Sequence, residues 1–255
     1  MGIELGSVGS NEGRQRLPVW KTFTQTYAYL YRNIEKYILQ LVIIVFISYA
    51  ISLLFKEDIF FGAFLNWVVG GIIFCSFAVG VHRTVLLSEE KKGISFFRRD
   101  MNVLKYIGLS LLFIFLLISK FIPGAIVNLG GSKNFEMLSF PVYLFCLVIY
   151  VRFLLSLPAA AIGVPNSLSV SWRLTKGNWF RMFALLALAS LPVLAFGIFT
   201  LATALRDPTL VFSTTFYFAW LCVGSANALI LLVILSFSYH NLAATPSPVG
   251  ETVET

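Results

Sequence analysis

Runs of apolar sequence almost free of charge recur along the chain at about residues 37–55, 59–81, 103–122, 138–157, 180–204 and 211–238. A helix of about 20 such residues matches the roughly 30 Å hydrocarbon core of a bilayer. A helix also satisfies its backbone hydrogen bonds within the segment, which lipid requires. A soluble fold is excluded on surface chemistry: only 12% of the 255 residues are charged and 58% are hydrophobic, against about a quarter charged in ordinary soluble domains. The expected fold is an all-α polytopic membrane protein of six transmembrane helices with interfacial amphipathic helices, and its length leaves no room for a separate soluble catalytic domain. Residues 1–17 are expected to be a disordered cytoplasmic tail and 243–255 a flexible one, because they offer too little apolar surface to order them, with 18–242 as one transmembrane domain. In span three only residues 106–119 are uncharged, so it crosses only if Lys105 and Lys120 snorkel to opposite interfaces; the alternative is a re-entrant segment.

Residues 1–36 hold no apolar h-region, so insertion is expected to use the first span itself. Before that span, Trp20, Phe23, Tyr27, Leu30, Ile34 and Tyr37 recur at helical steps on one face. This predicts an amphipathic helix entering the membrane, its aromatic rings at headgroup depth; the plainer reading is that the first span simply starts earlier. With six spans, 14 Lys and Arg residues fall on one side and 4 on the other, Arg152 standing apart. The positive-inside rule then places both termini in the cytoplasm. The outer connections are short, which argues against an extracellular receptor.

The second long cytoplasmic connection carries a short helix. Asn166 or Ser167 is placed to cap its start, and Gly177 to end it after Lys176. Leu168, Trp172 and Thr175 share a face, so Trp172 is expected at headgroup depth with Arg173 and Lys176 reaching for phosphates. Val81-His82-Arg83 leaves span two much as Val151-Arg152-Phe153 leaves span four. Each is followed by a glycine and then an aromatic-Arg pair, Phe97-Arg98 or Phe180-Arg181. This suggests a weak hairpin repeat and puts Arg83 among the candidate lipid or anion contacts.

Leu157-Pro158-Ala159-Ala160-Ala161, followed by Ser171-Trp172-x-Leu174-Thr175-Lys176-Gly177-Asn178, resembles the Ser-Trp-x-Leu-Thr-x-Gly signature of a broad group of uncharacterised bacterial six-span inner-membrane proteins. That group is similar to the membrane domain attached to some glycerophosphoryl diester phosphodiesterases. The resemblance implies a helical inner-membrane domain and carries no catalytic residues. The chain has no room for a phosphodiesterase domain, so that activity is not transferred.

Familiar chemistry is missing. All twelve acidic residues lie outside the spans, so the intramembrane carboxylate that proton-coupled transporters use is absent. His82 and His240 lie at cytoplasmic span ends without metal-ligand spacing and read as satisfied interfacial histidines. Cys75, Cys146 and Cys222 sit in apolar runs and read as small hydrophobes. No nucleophile elbow or phosphate loop is present, so no enzyme activity and no cofactor or metal is expected. Arg152 follows fifteen uncharged residues and precedes twenty. It either snorkels to the interface or faces the bundle interior, where it would bind a lipid phosphate or an anionic solute. Asn227, beside the Gly224-xxx-Ala228 pair, is expected either to hydrogen-bond across a close helix contact or to line a cavity. The sequence thus supports a lipid-interacting or scaffolding protein at the cytoplasmic leaflet, with anionic phospholipid, a membrane-protein partner or a second copy as partners and no nucleic acid. The alternative is a permease for a small solute, small anions included.

Overall fold

The computed structural model describes residues 16–55, 59–89, 100–119, 137, 139–207, 209 and 213–243. Among them every regular element is a helix: α1 (Val19–Leu54), α2 (Ile59–Leu87), α3 (Met101–Ser119), α4 (Ser139–Phe153), α5 (Ser156–Ala161), α6 (Ser167–Leu174), α7 (Trp179–Ala189), α8 (Leu191–Arg206) and α9 (Thr214–Ala243). Four stretches are long and apolar enough to cross a membrane: α1, Phe64–Leu87 of α2, Phe140–Ala161 across α4 and α5, and α9. A fifth arises if α7 and α8, bent by 52° at their junction, are one span.

The separate amphipathic helix and first span expected before residue 55 are one element. α1 runs for 36 residues, about 54 Å at 1.5 Å per residue, because no Gly or Pro interrupts Val19 to Leu54. The apolar stretch Phe140–Ala161, by contrast, is broken where proline dictates. Pro158 has no N–H to give the carbonyl of Leu154. That carbonyl instead accepts from Leu157 N at 3.2 Å, and the chain turns at Leu154 and Leu155 before resuming as α5. Pro192 acts likewise in the first turn of α8, where it cannot continue the helix from α7.

α1, α2 and α9 pack pairwise as a central trio. α1 runs antiparallel to α9: Asn241 donates to Thr22 Oγ1 at one end, and Ser52 donates to the Tyr217 hydroxyl at the other. α2 runs parallel to α9, with Asn66 against Tyr217 and His82 against Ser236. The α1–α2 hairpin is tight. A Cβ on Gly62 would lie 2.7 Å from that of Phe55, and one on Gly70 within 3.7 Å of Ser48 Oγ. The close approach anticipated at Gly224 is not found, since a Cβ there would meet nothing within 4 Å.

The core is concentrated at one end, where α1 begins and α2 and α9 finish. Leu30 and Tyr37 of α1, Phe77 to Val81 of α2, the whole of α5 and Leu232 to Leu235 of α9 are buried there, apart from partly exposed Gly80. α8 buries nothing. At the other end large apolar side chains, among them Phe46, Phe64, Phe115 and Leu194, are exposed, the arrangement of a bundle whose outer surface meets an apolar medium rather than water.

Candidate functional site

α4 ends at the packed end with its last carbonyls lacking intrahelical partners, as every helix end does. Arg152 lies in that last turn. Its carbonyl accepts from the Ser171 hydroxyl at 2.7 Å, and the Thr175 hydroxyl lies 3.1 Å from the same oxygen. Ser171 and Thr175 are one turn apart on α6 and just beyond it, and both are fully buried. α6 therefore buries a polar face against the broken end of α4. Thr175, expected on the headgroup-facing side with Leu168 and Trp172, belongs instead to this buried face, while Trp172 stays exposed. The cap differs as well: Asn166 occupies the N-cap with a left-handed backbone (φ 53°) and no side-chain hydrogen bond. Gly177 supplies the positive φ (83°) that turns the chain toward α7.

Trp172, which is partly exposed, instead covers Arg152. The guanidinium carbon lies 3.4 Å from the Trp172 ring centroid, and Arg152 Nη2 donates to the Trp172 carbonyl at 3.2 Å. Stacking of this kind favours Arg because its planar guanidinium is weakly hydrated. The same indole packs on Phe153 at 5.3 Å between ring centroids. Arg152 Nε is buried without an acceptor, and no carboxylate of a described residue pairs with this cation. Arg173 and Lys176 are exposed on α6 and the following turn. Arg152, Trp172, Arg173 and Lys176 thus occupy one corner of the bundle: a cation held by an aromatic face and one carbonyl, with its buried Nε unmatched.

Arg83 does not join them. Its Nη2 and Nε reach the two carboxylate oxygens of Glu89 at 2.7 and 3.3 Å, and Nη1 reaches Asp100 at 3.3 Å. Asp100 also accepts from Asn102 N at 3.2 Å, which caps the start of α3. The Arg83 fork ties the end of α2 to the beginning of α3 and is engaged by this chain's own acids. The counterpart glycine and aromatic-Arg residues of the hairpin repeat, Gly93, Phe97 and Arg98, lie outside the described residues. Asn227 is buried in α9, its Oδ1 without a donor.

His82, read above as interfacial, is fully buried. Its Nδ1 lies 2.8 Å from Ser236 Oγ and its Nε2 3.3 Å from the Tyr106 hydroxyl. Because Ser236 donates to the Leu232 carbonyl at 3.0 Å, the pattern completes if Nδ1 carries the proton and Nε2 accepts from Tyr106. One polar chain then links α3, α2 and α9. No group of three or more His, Cys, Asp or Glu residues able to hold a metal occurs among the described residues. Sequence reading missed the Ser171 and Thr175 clamp and the Tyr106–His82–Ser236 chain. The available signals were Pro158, which leaves helix-end acceptors upstream of it, and hydroxyls at i and i+4 on a short helix. Comparison with protein-family models, with curated proteins and with solved structures finds no match.

Proposed function

We propose that the chain is a non-enzymatic six-span protein of a bacterial inner membrane, with both termini in the cytoplasm, that holds phosphate-bearing anionic lipid headgroups at the cytoplasmic leaflet. The observation that carries this reading is Arg152: a cation stacked on Trp172 whose Nε has no acceptor. An oxyanion is the chemistry that matches unused guanidinium donors, and Arg173 and Lys176 beside it add attraction to an anionic leaflet. In this reading α6 lies at the membrane interface. α3, at 19 residues and about 28 Å, crosses as the third span, and the bent α7–α8 pair crosses as the fifth. The likeness of the Ser171 to Gly177 stretch to bacterial six-span proteins agrees with it.

The test is the thermal midpoint of the purified protein in neutral detergent, titrated separately with phosphatidylglycerol, phosphatidylcholine and inorganic phosphate. Phosphatidylglycerol is expected to raise the midpoint, phosphatidylcholine to leave it unchanged, and Arg152→Gln to abolish most of the rise. An equal rise in wild type and Arg152→Gln would overturn the assignment, and a full rise with inorganic phosphate alone would mark a soluble anion as the ligand. A permease for a small anion is the second reading, favoured by the unmatched amide oxygens of Asn66 and Asn227 in the central trio. It requires water to reach that level of α2, so a membrane-impermeant thiol reagent should modify Cys75 in a variant lacking the other two cysteines.

A further inference from the structure

Leu17 precedes α1, yet it is fully buried, and both of its backbone polar groups are held by side chains from a single short stretch. Its N–H donates to Asn178 Oδ1 at 2.9 Å, and its carbonyl accepts from Arg181 Nη1 at 3.2 Å. Paired bonds to the main chain of one residue, with that residue's side chain in a pocket, are how an extended peptide is captured. The seat continues into α1: Thr22 and Thr26 are fully buried, and Asn241 at the end of α9 donates to Thr22 Oγ1 at 3.0 Å.

The residues that hold Leu17 are continuous with the Arg152 corner. Asn178 N donates to the Thr175 carbonyl at 2.9 Å, and the Thr175 hydroxyl lies 3.1 Å from the Arg152 carbonyl. Three hydrogen-bond links therefore connect Leu17 to Arg152 through Asn178 and Thr175. The segment from Ser171 to Arg181 has two hands, one on the broken end of α4 and one on the chain entering α1.

We infer that residues 16–18 are a strap that regulates the Arg152 corner: seated, they brace the turn after α6 and keep Trp172 over the guanidinium; withdrawn, they free Thr175 and let the indole leave. The strap's effect on ligand rests on the headgroup reading above, whereas the mechanical coupling does not. Withdrawal is then a local opening that breaks two main-chain hydrogen bonds and exposes the buried Leu17 side chain.

The experiment is hydrogen exchange followed by mass spectrometry on the full chain in nanodiscs containing phosphatidylglycerol, with native mass spectrometry of the same samples. In Asn178→Leu, exchange over residues 16–20 is expected to rise about five- to tenfold, with a parallel rise over 170–176 and a several-fold loss of retained phosphatidylglycerol. Arg181→Gln keeps Asn178 in place, guards against a folding defect in the first variant, and should show a smaller change in the same direction. A rise confined to residues 16–20 in both variants would overturn the coupling. Unchanged exchange over 16–20 would overturn the strap itself. If wild type retains no phosphatidylglycerol while exchange over 170–176 still follows the strap, the headgroup reading fails and the coupling stands.

Discussion

Hydroxyl groups do at the Arg152 carbonyl what the next helical turn would otherwise do. Ser171 is fully buried and its bond is short at 2.7 Å, so Ser171→Ala leaves a buried acceptor with one candidate donor fewer. That change should cost about 1 kcal/mol and lower the thermal midpoint, whereas Ser169→Ala on the exposed side of α6 should move it little. The Tyr106–His82–Ser236 chain makes a sharper case because both contacts of the imidazole lie out of solvent. His82→Ala and Ser236→Ala should each destabilise by about 1–3 kcal/mol. Their double variant should fall short of the sum by about 0.5 kcal/mol or more, the coupling that a shared network imposes; strict additivity would show that the two side chains do not act together. At this scale the sequence was only partly legible. The uncharged neighbours of Arg152 marked it as unusual, and Trp172 lay within the motif that drew attention. That Trp172 would cover Arg152, and that Arg83 would be claimed by Glu89 and Asp100, depends on which residues meet across elements, and periodicity along one helix does not encode that.

Where an element breaks is decided by a few residues. Pro158 separates α4 from α5 and Pro192 separates α7 from α8, and the lack of any Gly or Pro in α1 fuses two expected elements into one helix. Apolar runs located the helices well because hydrophobic length is a local property. The depth at which α1 begins is not local, since its first turns are ordered by contacts with Asn241 and the α6–α7 turn. Small residues illustrate the same limit. Gly224 and Gly62 are equivalent as symbols, yet only Gly62 faces a neighbour's Cβ at 2.7 Å. Gly62→Ala should therefore destabilise the α1–α2 hairpin by about 1–3 kcal/mol through overpacking. Gly224→Ala should be neutral or slightly stabilising through its better helix propensity, and thermal unfolding of the two variants side by side checks the contrast.

Among the described residues most of the core, the ion pairs and the broken-helix corner sit at one end, while large apolar side chains are exposed along the whole length of the bundle. In the proposed orientation that packed end meets the cytoplasmic leaflet, where the basic residues gather. On that reading, the end that would recognise a charged headgroup is the end where most of the core is packed around Arg152. The measurement that bears most directly on this account is native mass spectrometry of the protein extracted gently with its own membrane lipids. The account predicts tightly retained anionic phospholipid, released when Arg152→Gln is combined with Arg173→Ala and Lys176→Ala while neutral lipid is unaffected. A wild-type protein free of anionic lipid, or a triple variant that keeps it, would contradict the account.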